Sequence, residues 1–373
     1  MLNVTGAFRI NDARMSPLWT AWRDATMSKP FEGPSVWTGA DLAADRSWTY
    51  RLTAADIREL DAARRHAERA GADWLTVTRE TFPLDAMARR LQGVADQLET
   101  GRGMMLLSGL PVDRPQDDIR LIWMGMGHWI GRPVAQDNTG QMMRDIQAEP
   151  GDLGARHEKM ADAKGEVFLS SKARTYSNGQ LRYHTDRTDV VGLLMARRSA
   201  SGGESRVAST AAVYNAILQR RPDLLELLLQ PIYRSRLGEE AGGGDEIYPL
   251  PVFGIRDGKL TSHYSRTYVE AAQLRPETPR MSDAQWEALD MLAAVADELA
   301  FRMMLAPGDI QLINSHITYH ARTAFVDDAA KGESRLLHRL WLSMPNSRAL
   351  PADQAVLWRN VEAGALRGGI AVA

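Results

Sequence analysis

The sequence predicts an α+β fold in which a β-sandwich or jelly roll is flanked by helices. The first part of the chain carries apolar residues at helical spacing. From Val167 onward the chain changes to short apolar runs that are separated by glycine and polar turns, a texture typical of sandwiches and jelly rolls. No repeat, linker or low-complexity tract divides the chain. We therefore expect a single domain over residues 1–373.

The N-terminal part is expected to be mostly helical. Residues 1–50 show little periodicity and predict an irregular wrap, so that residues 1–80 form an N-terminal extension. Apolar stripes predict three helices and one short strand after the second helix. The helices run from Thr53 to about Ala70, from Leu84 to Leu98 and from Pro115 to Ile130, and the strand runs from Met104 to Leu107.

The rest of the chain is expected to form the β core, over about residues 100–345. Short apolar runs predict strands at Leu181–Asp186, Val190–Ala196, Ser205–Ser209, Leu250–Ile255, Leu260–Tyr264, Ile310–Asn314 and Arg335–Ser343. Two helices interrupt them. One runs from Thr210 to about Leu229, and the other starts at Ser282, which forms a capping box with Gln285. The glycine-rich piece from Gly238 to Asp245 predicts a flexible loop.

Composition limits both the partners and the chemistry. The 45 basic residues are interspersed with 47 acidic ones, so neither a nucleic acid nor a membrane is expected as a partner. Cysteine is absent, and any metal must therefore be held by imidazole and carboxylate groups. The sequence lacks a signal-peptide pattern and an apolar membrane segment, which predicts a cytoplasmic protein. We expect a small-molecule substrate, and a homo-oligomer is left open.

One pair of residues has the spacing of metal ligands. In a strand, His184 and Asp186 would lie on the same face, because side chains two residues apart share a face. Completed by a distant histidine, such a pair forms the 2-His-1-carboxylate site of non-haem iron(II) oxygenases. A second pair, His66 and Glu68, lies on a predicted helix, where side chains two residues apart diverge, and is expected to be a solvated helix face.

The last predicted strand carries two arginines on one face. In a strand, Arg335 and Arg339 would lie on one face and apolar residues on the other. If the apolar face packs in the core, the arginines must contact either solvent or an anion in a cavity, because an unpaired buried cation is costly. A solvent-facing edge strand is one interpretation. The other is that both guanidinium groups line the barrel interior and bind carboxylates.

These motifs together resemble the taurine dioxygenase (TauD/TfdA) family, close to its clavaminate-synthase-like members. The resemblance rests on Tyr183–Asp186, Gly202–Ser205, Pro307–Asp309 with Asn314, His320–Arg322 and Arg335–Arg339, in that order. It implies a double-stranded β-helix, that is, a jelly roll of the cupin type. It further implies that His184, Asp186 and His320 bind Fe(II), that Arg335 and Ser205 contact the cosubstrate 2-oxoglutarate, and that Arg339 contacts an anionic substrate group.

The distal histidine has two candidates. If residues 316–320 form a strand, His316 and His320 lie on one face, and either could bind the metal. We prefer His320, because Ala321 and Arg322 follow it. We expect His316 to contact the substrate or to lie behind the ligands. Asn314-Ser315 also departs from the family's usual Asp-Asn pair.

The resemblance implies an Fe(II)/2-oxoglutarate-dependent dioxygenase that uses O2. It would convert 2-oxoglutarate to succinate and CO2 while oxidising a C–H bond of a small polar substrate, anionic or amino-acid-like. Hydroxylation is the default expectation, and desaturation or cyclisation stays open. Two alternatives are a jelly-roll metal-dependent hydrolase and a non-catalytic metabolite-binding barrel. Arg335 disfavours the hydrolase, because hydrolysis requires no carboxylate clamp.

Overall fold

The structure, a computed structural model, describes residues 29–149, 159–161, 167–169, 174–236 and 246–372. The loop predicted from Gly238 to Asp245 lies outside these residues, as does most of the predicted N-terminal wrap. Among the described residues, no helix is both long enough and apolar enough to cross a membrane.

The helices follow the predicted stripes closely in the N-terminal part. In chain order they are α1 (Gly39–Ala44), α2 (Ala54–Arg69), α3 (Ala86–Thr100), α4 (Gln116–Ile130), α5 (Thr210–Arg220), α6 (Pro222–Leu228), α7 (Arg266–Gln273), α8 (Asp283–Leu299) and α9 (Ala355–Trp358). Capping boxes start α2 at Thr53 and α8 at Ser282, as side-chain oxygens accept from the backbone of the first turn.

The strands are short, as the sequence predicts. They are β1 (Thr49–Arg51), β2 (Met104–Ser108), β3 (Arg132–Pro133), β4 (Met143–Ile146), β5 (Lys159–Ala161), β6 (Val167–Leu169), β7 (Leu181–His184), β8 (Val190–Arg197), β9 (Ser201–Gly202), β10 (Ser205–Ser209), β11 (Ile232–Ser235), β12 (Ile247–Leu250), β13 (Phe253–Arg256), β14 (Lys259–Ser262), β15 (Phe301–Met303), β16 (Ile310–Asn314), β17 (Thr318–Arg322), β18 (Phe325–Val326) and β19 (Leu336–Ser343).

Two sheets form the centre of the molecule. The larger one has the strand order β1-β2-β16-β8-β19-β3, with β4 also paired to β19. The smaller one has the order β15-β10-β17-β7. All pairs are antiparallel except β1 with β2. The fold is thus mixed α and β, as predicted.

Each sheet is covered by helices on one side. A large apolar cluster joins α3 and α4 to the larger sheet, where the ring of Trp123 packs against Gly192 and its indole N–H donates to the carbonyl of His338. A second cluster joins α5 and α8 to the smaller sheet. Side chains of the two sheets also meet each other, since Ser205 Oγ donates to Gln311 Oε1 over 3.0 Å. The space between the sheets is therefore lined by side chains of both.

Two predicted elements need correction because of a proline. The helix predicted from Thr210 to Leu229 is two helices that meet at Arg221, because Pro222 cannot donate to the helix that precedes it. The strand predicted at Leu250–Ile255 is likewise two strands on either side of Pro251. The predicted N-terminal wrap contains α1, a short helix that begins after a Thr38 cap.

Candidate metal and cosubstrate site

Neighbouring strands bring two histidine side chains together. His184 ends β7 and His320 lies on β17, and the two residues are directly opposite in the antiparallel register. Their ring centroids are 4.1 Å apart. His184 Nδ1 lies 2.9 Å from the carbonyl oxygen of Arg182, which fixes the orientation of that ring.

Asp186 completes a compact cluster. It lies just beyond the end of β7, so the predicted strand is two residues too long, yet its carboxylate still converges on the histidines. One ligand atom from each of His184, Asp186 and His320 lies within 4.8 Å of the others. Asp186 Oδ2 is 3.6 Å from His320 Nε2. This geometry suits a divalent cation.

The electrostatics of the cluster favour metal binding. Burial alone would raise the pKa of Asp186, but the Arg339 guanidinium holds it below its usual value. Burial and the neighbouring His184 lower the pKa of His320 to about 3, and burial also lowers the pKa of His184. Both imidazoles are therefore neutral and the carboxylate is charged at neutral pH, as metal ligands must be.

Unpaired polar atoms in the cluster provide a further test of fit. Asp186 Oδ2 and His320 Nδ1 are buried and have no hydrogen-bond partner among the described residues. Buried polar groups are nearly always paired, so such atoms point to a group that the protein alone does not supply. A cation held by these three residues would pair the carboxylate oxygen.

Arg335 lies buried just before β19, and its backbone N–H donates to Asp327 Oδ1 over 2.9 Å. Its guanidinium forms no ion pair with an acidic side chain among the described residues. Its Nε and Nη1 have no hydrogen-bond partner among the described residues. Burial and the nearby Arg322 lower the pKa of Arg335 to about 9. An unpaired cation at this depth is costly, and an anionic ligand would remove the cost.

Arg322 lies beside Arg335. It lies two residues after His320 on β17, and both guanidinium groups stack on Phe325, at 4.6 Å for Arg322 and 5.3 Å for Arg335. Arg322 also donates to the carbonyls of Ser177 and Gly179. The sequence showed Arg322 only as part of a motif, and its place beside Arg335 depends on contacts across the fold.

The pairing of β10 with β17 brings Ser205 close to Arg322 and Arg335. Ser205 is opposite Arg322 in the register of β10 and β17, and its hydroxyl donates to Gln311. A β-carbon added at Gly203 would lie 3.4 Å from Arg335 Nε, so the chain just before Ser205 passes directly against the guanidinium. The structure thus places Ser205 near Arg335, and contact of Ser205 with the cosubstrate stays a prediction.

Arg339 lies on the cluster side of β19. Its Nη1 is 3.6 Å from Asp186 Oδ1, its Nε donates to Gln136 Oε1 over 2.7 Å, and its guanidinium stacks on Trp341. Nη2 has no partner among the described residues. Gln136 was not found from the sequence, because a lone glutamine far from any motif gives no signal.

His316 is not brought to the cluster. It is fully buried, with Nε2 2.8 Å from Asp189 Oδ1 and Nδ1 2.9 Å from Thr261 Oγ1. Both ring nitrogens are occupied, so the expectation that His316 contacts the substrate is not supported. The structure instead favours the alternative of a buried residue behind the ligands. His66, from the pair with Glu68, is exposed on α2, as expected.

Comparison with known proteins agrees with this geometry. Residues 66–341, about three quarters of the chain, match the family described as taurine catabolism dioxygenase TauD, TfdA family. The chain belongs to this family. FR-33289 synthase of Streptomyces rubellomurinus is 31% identical over 334 residues, which cover 88% of this chain and 94% of that protein. L-asparagine oxygenase of Streptomyces coelicolor is 26% identical over 348 residues, or 90% of each chain.

A solved structure shows the same fold. Asparagine oxygenase in complex with Fe(II), 2S,3S-3-hydroxyasparagine and succinate superposes with a TM-score of 0.60 at 19% identity, covering 86% of this chain and 100% of that one. Membership of the TauD/TfdA family confirms the predicted class, an Fe(II)/2-oxoglutarate-dependent oxygenase, with iron as cofactor and 2-oxoglutarate and O2 as cosubstrates. Which residues bind them remains a prediction.

Proposed function

We propose that this TauD/TfdA enzyme hydroxylates a C–H bond of a small, polar substrate with an anionic or amino-acid group, with His184, Asp186 and His320 as the iron ligands. The observation that carries the proposal is the buried Arg335 guanidinium, whose Nε and Nη1 have no hydrogen-bond partner among the described residues, together with the compact cluster of two histidines and an aspartate. A metal site alone would also suit a hydrolase or a binding protein. A buried clamp for a second carboxylate is specific to a dicarboxylate cosubstrate.

Each residue has a distinct task in this proposal. His184, Asp186 and His320 hold the metal on one side and leave its other positions open. Arg335, beside Ser205, binds the distal carboxylate of 2-oxoglutarate and so orients that molecule. When bound, Fe(II) and 2-oxoglutarate supply the activation of O2, and 2-oxoglutarate becomes succinate and CO2.

Arg339 is proposed to hold the substrate. Its Nε and Nη1 are engaged by Gln136 and Asp186, which fixes the guanidinium plane and leaves Nη2 for a ligand. A fixed guanidinium loses little freedom on binding an anion. The names of the relatives fit a substrate of this kind, since one is an asparagine oxygenase.

Two finer statements about the architecture belong to the same proposal. The two sheets are the halves of a double-stranded β-helix, supported by their antiparallel pairing and by the contact between Ser205 and Gln311. The whole chain is one domain. The cytoplasmic location expected from the sequence stays a prediction.

A substrate panel tests the function directly. The enzyme is incubated with Fe(II), ascorbate and 2-oxoglutarate, together with L-amino acids, sulfonates and phosphonates, each paired with its uncharged amide or ester. Succinate release that depends on an anionic compound, with a product that gains one oxygen atom, supports the proposal. A product that loses two hydrogens indicates desaturation or cyclisation. No succinate release with any compound, while the metal binds, would favour a non-catalytic protein, and hydrolysis products would favour the hydrolase.

A further inference from the structure

The C-terminal strap, which we define as residues 355–370, lies beyond the part of the chain that matches the family. It begins with α9 and continues without regular structure. It contacts two segments that flank the candidate site. One is the turn of residues 187–189, directly after Asp186, and the other is the segment 134–136.

The strap meets the turn at the level of the backbone. The amide of Gly369 donates to the carbonyl of Arg187 over 2.8 Å, and Arg187 Nη2 donates to the carbonyl of Leu357 over 3.0 Å. Gly368 has a φ of +75°, and a β-carbon there would lie 3.0 Å from the Cα of Thr188. Only glycine allows this approach without strain.

A buried ion pair anchors the strap to the same turn. Arg367 Nε lies 2.7 Å from Asp189 Oδ1, and the two side chains are 0% and 1% exposed. His316 Nε2 lies 2.8 Å from the same oxygen, and the amide of Met344 donates to Asp189 Oδ2 over 2.8 Å. Removal of one partner of a buried ion pair leaves an uncompensated charge, so this pair holds the strap against the turn.

The other side of the strap reaches the residues that hold Arg339. The amide of Ile370 donates to the carbonyl of Ala135 over 2.9 Å. The next residue, Gln136, accepts from Arg339 Nε through its Oε1 and donates to the carbonyl of Arg339 through its Nε2 over 2.8 Å. The strap therefore spans from the turn after Asp186 to the segment that orients Arg339.

We propose that the C-terminal strap is a positioning element of the active site, which fixes the Asp186 carboxylate relative to the Arg339 guanidinium. Strap residues touch neither metal nor substrate and act through the turn 187–189 and through Gln136. Loosening the strap moves Asp186 and Arg339 apart, which weakens metal binding and the hold on the substrate anion. The role in substrate binding rests on the proposed function, whereas the effect on metal affinity does not.

Four variants of the full chain test the proposal. Gly368→Ala pushes against Thr188, while Arg367→Met removes the anchor and Arg367→Lys keeps its charge. Gly125→Ala is the matched control. It also adds a carbon at a closely packed glycine, but the three nearest atoms all belong to the Phe82 ring. For each variant the melting temperature, the Fe(II) dissociation constant in an anaerobic titration, and kcat and KM are measured.

We expect Gly368→Ala and Arg367→Met to raise the Fe(II) dissociation constant about tenfold or more, the range for residues that support metal ligands. Gly125→Ala should change it less than about twofold at a similar loss of melting temperature, and Arg367→Lys should restore most of the affinity. Should Arg367→Met fail to fold, the Fe(II) affinity of Gly368→Ala still tests the proposal. Fe(II) affinities of Gly368→Ala and Arg367→Met equal to that of Gly125→Ala would overturn the proposal. Absence of turnover in the wild type would count against the proposed function alone.

Discussion

At the residue scale, the two arginines that the sequence places on one strand face lie in different surroundings. Arg335 precedes β19, Arg339 lies within it, and the strand register shifts between Leu336 and Leu337. Arg335 is next to Arg322, Phe325 and Gly203, whereas Arg339 contacts Asp186 and Gln136. Their positions are four residues apart, roughly 13 Å along a strand, so one small dicarboxylate does not reach both.

This separation predicts different kinetic effects. Arg335→Ala should raise the 2-oxoglutarate requirement steeply, because losing one partner of a buried charged pair costs about 2–5 kcal/mol. Arg339→Ala should weaken dependence on the prime substrate and leave substrate-independent decarboxylation of 2-oxoglutarate largely intact. Initial-rate measurements with each compound varied in turn distinguish the two, with the exposed Arg89→Ala as control. Equal increases in the 2-oxoglutarate requirement would assign Arg339 to the cosubstrate site and remove the case for an anionic substrate.

The two candidate histidines are separable in the same way. His320→Ala should lose Fe(II) binding, because it removes one of three protein ligands. His316→Ala should bind Fe(II) more weakly than wild type but measurably, at a clear cost in stability, since it leaves the buried Asp189 with one donor fewer. Anaerobic Fe(II) titration and urea unfolding of both variants test this. Normal Fe(II) affinity in His320→Ala would move the ligand to another residue.

At the scale of elements, local patterns predicted most helices and most of the longer strands, but neither the many short strands nor how the elements meet. Alternation and short apolar runs located β8, β10 and β16 within one residue, because those strands carry their own signal. β17, which carries His320, was left undecided, since its five residues are all buried and therefore show no alternation. The contacts of Gln136 and of the C-terminal strap join residues far apart in the chain, and no local pattern encodes them.

Packing between α4 and the larger sheet gives a prediction at this scale. A β-carbon at Gly192 would lie 2.5 Å from the Trp123 ring, so Gly192→Ala should lower the free energy of unfolding by about 1–3 kcal/mol. Gly93→Ala is the matched control. No atom lies within 4 Å of its added carbon, and alanine favours the helix by about 1 kcal/mol. Urea unfolding measures both, and an unchanged stability in Gly192→Ala would contradict the packing described.

At the scale of the whole molecule, the buried histidines make stability depend on pH. His263, His316 and His320 are buried, and burial lowers the pKa of each. Below about pH 6.5 the unfolded chain binds protons at these positions and the folded chain does not. Stability is therefore present above that pH and is lost as the pH falls.

The expected loss between pH 7.5 and 5.5 is about 1.3 kcal/mol from His320, whose pKa in the folded chain is about 3, and His263 and His316 add to the loss in the same direction. Urea unfolding of the metal-free protein at the two pH values measures it. His66→Gln should leave the loss unchanged, because His66 is exposed on α2. A free energy of unfolding that stays constant or rises over this range would show that the three histidines are not buried as neutral groups.

The central claim is that the cluster of His184, Asp186 and His320 binds the iron that this enzyme uses. Asp186→Ala tests it most directly, with Asp290→Ala, a change at an exposed ion pair, as control. We predict that Asp186→Ala folds but loses both high-affinity Fe(II) binding in an anaerobic titration and Fe(II)-dependent succinate release, while Asp290→Ala keeps both. Near wild-type Fe(II) affinity and 2-oxoglutarate decarboxylation in Asp186→Ala would contradict the account.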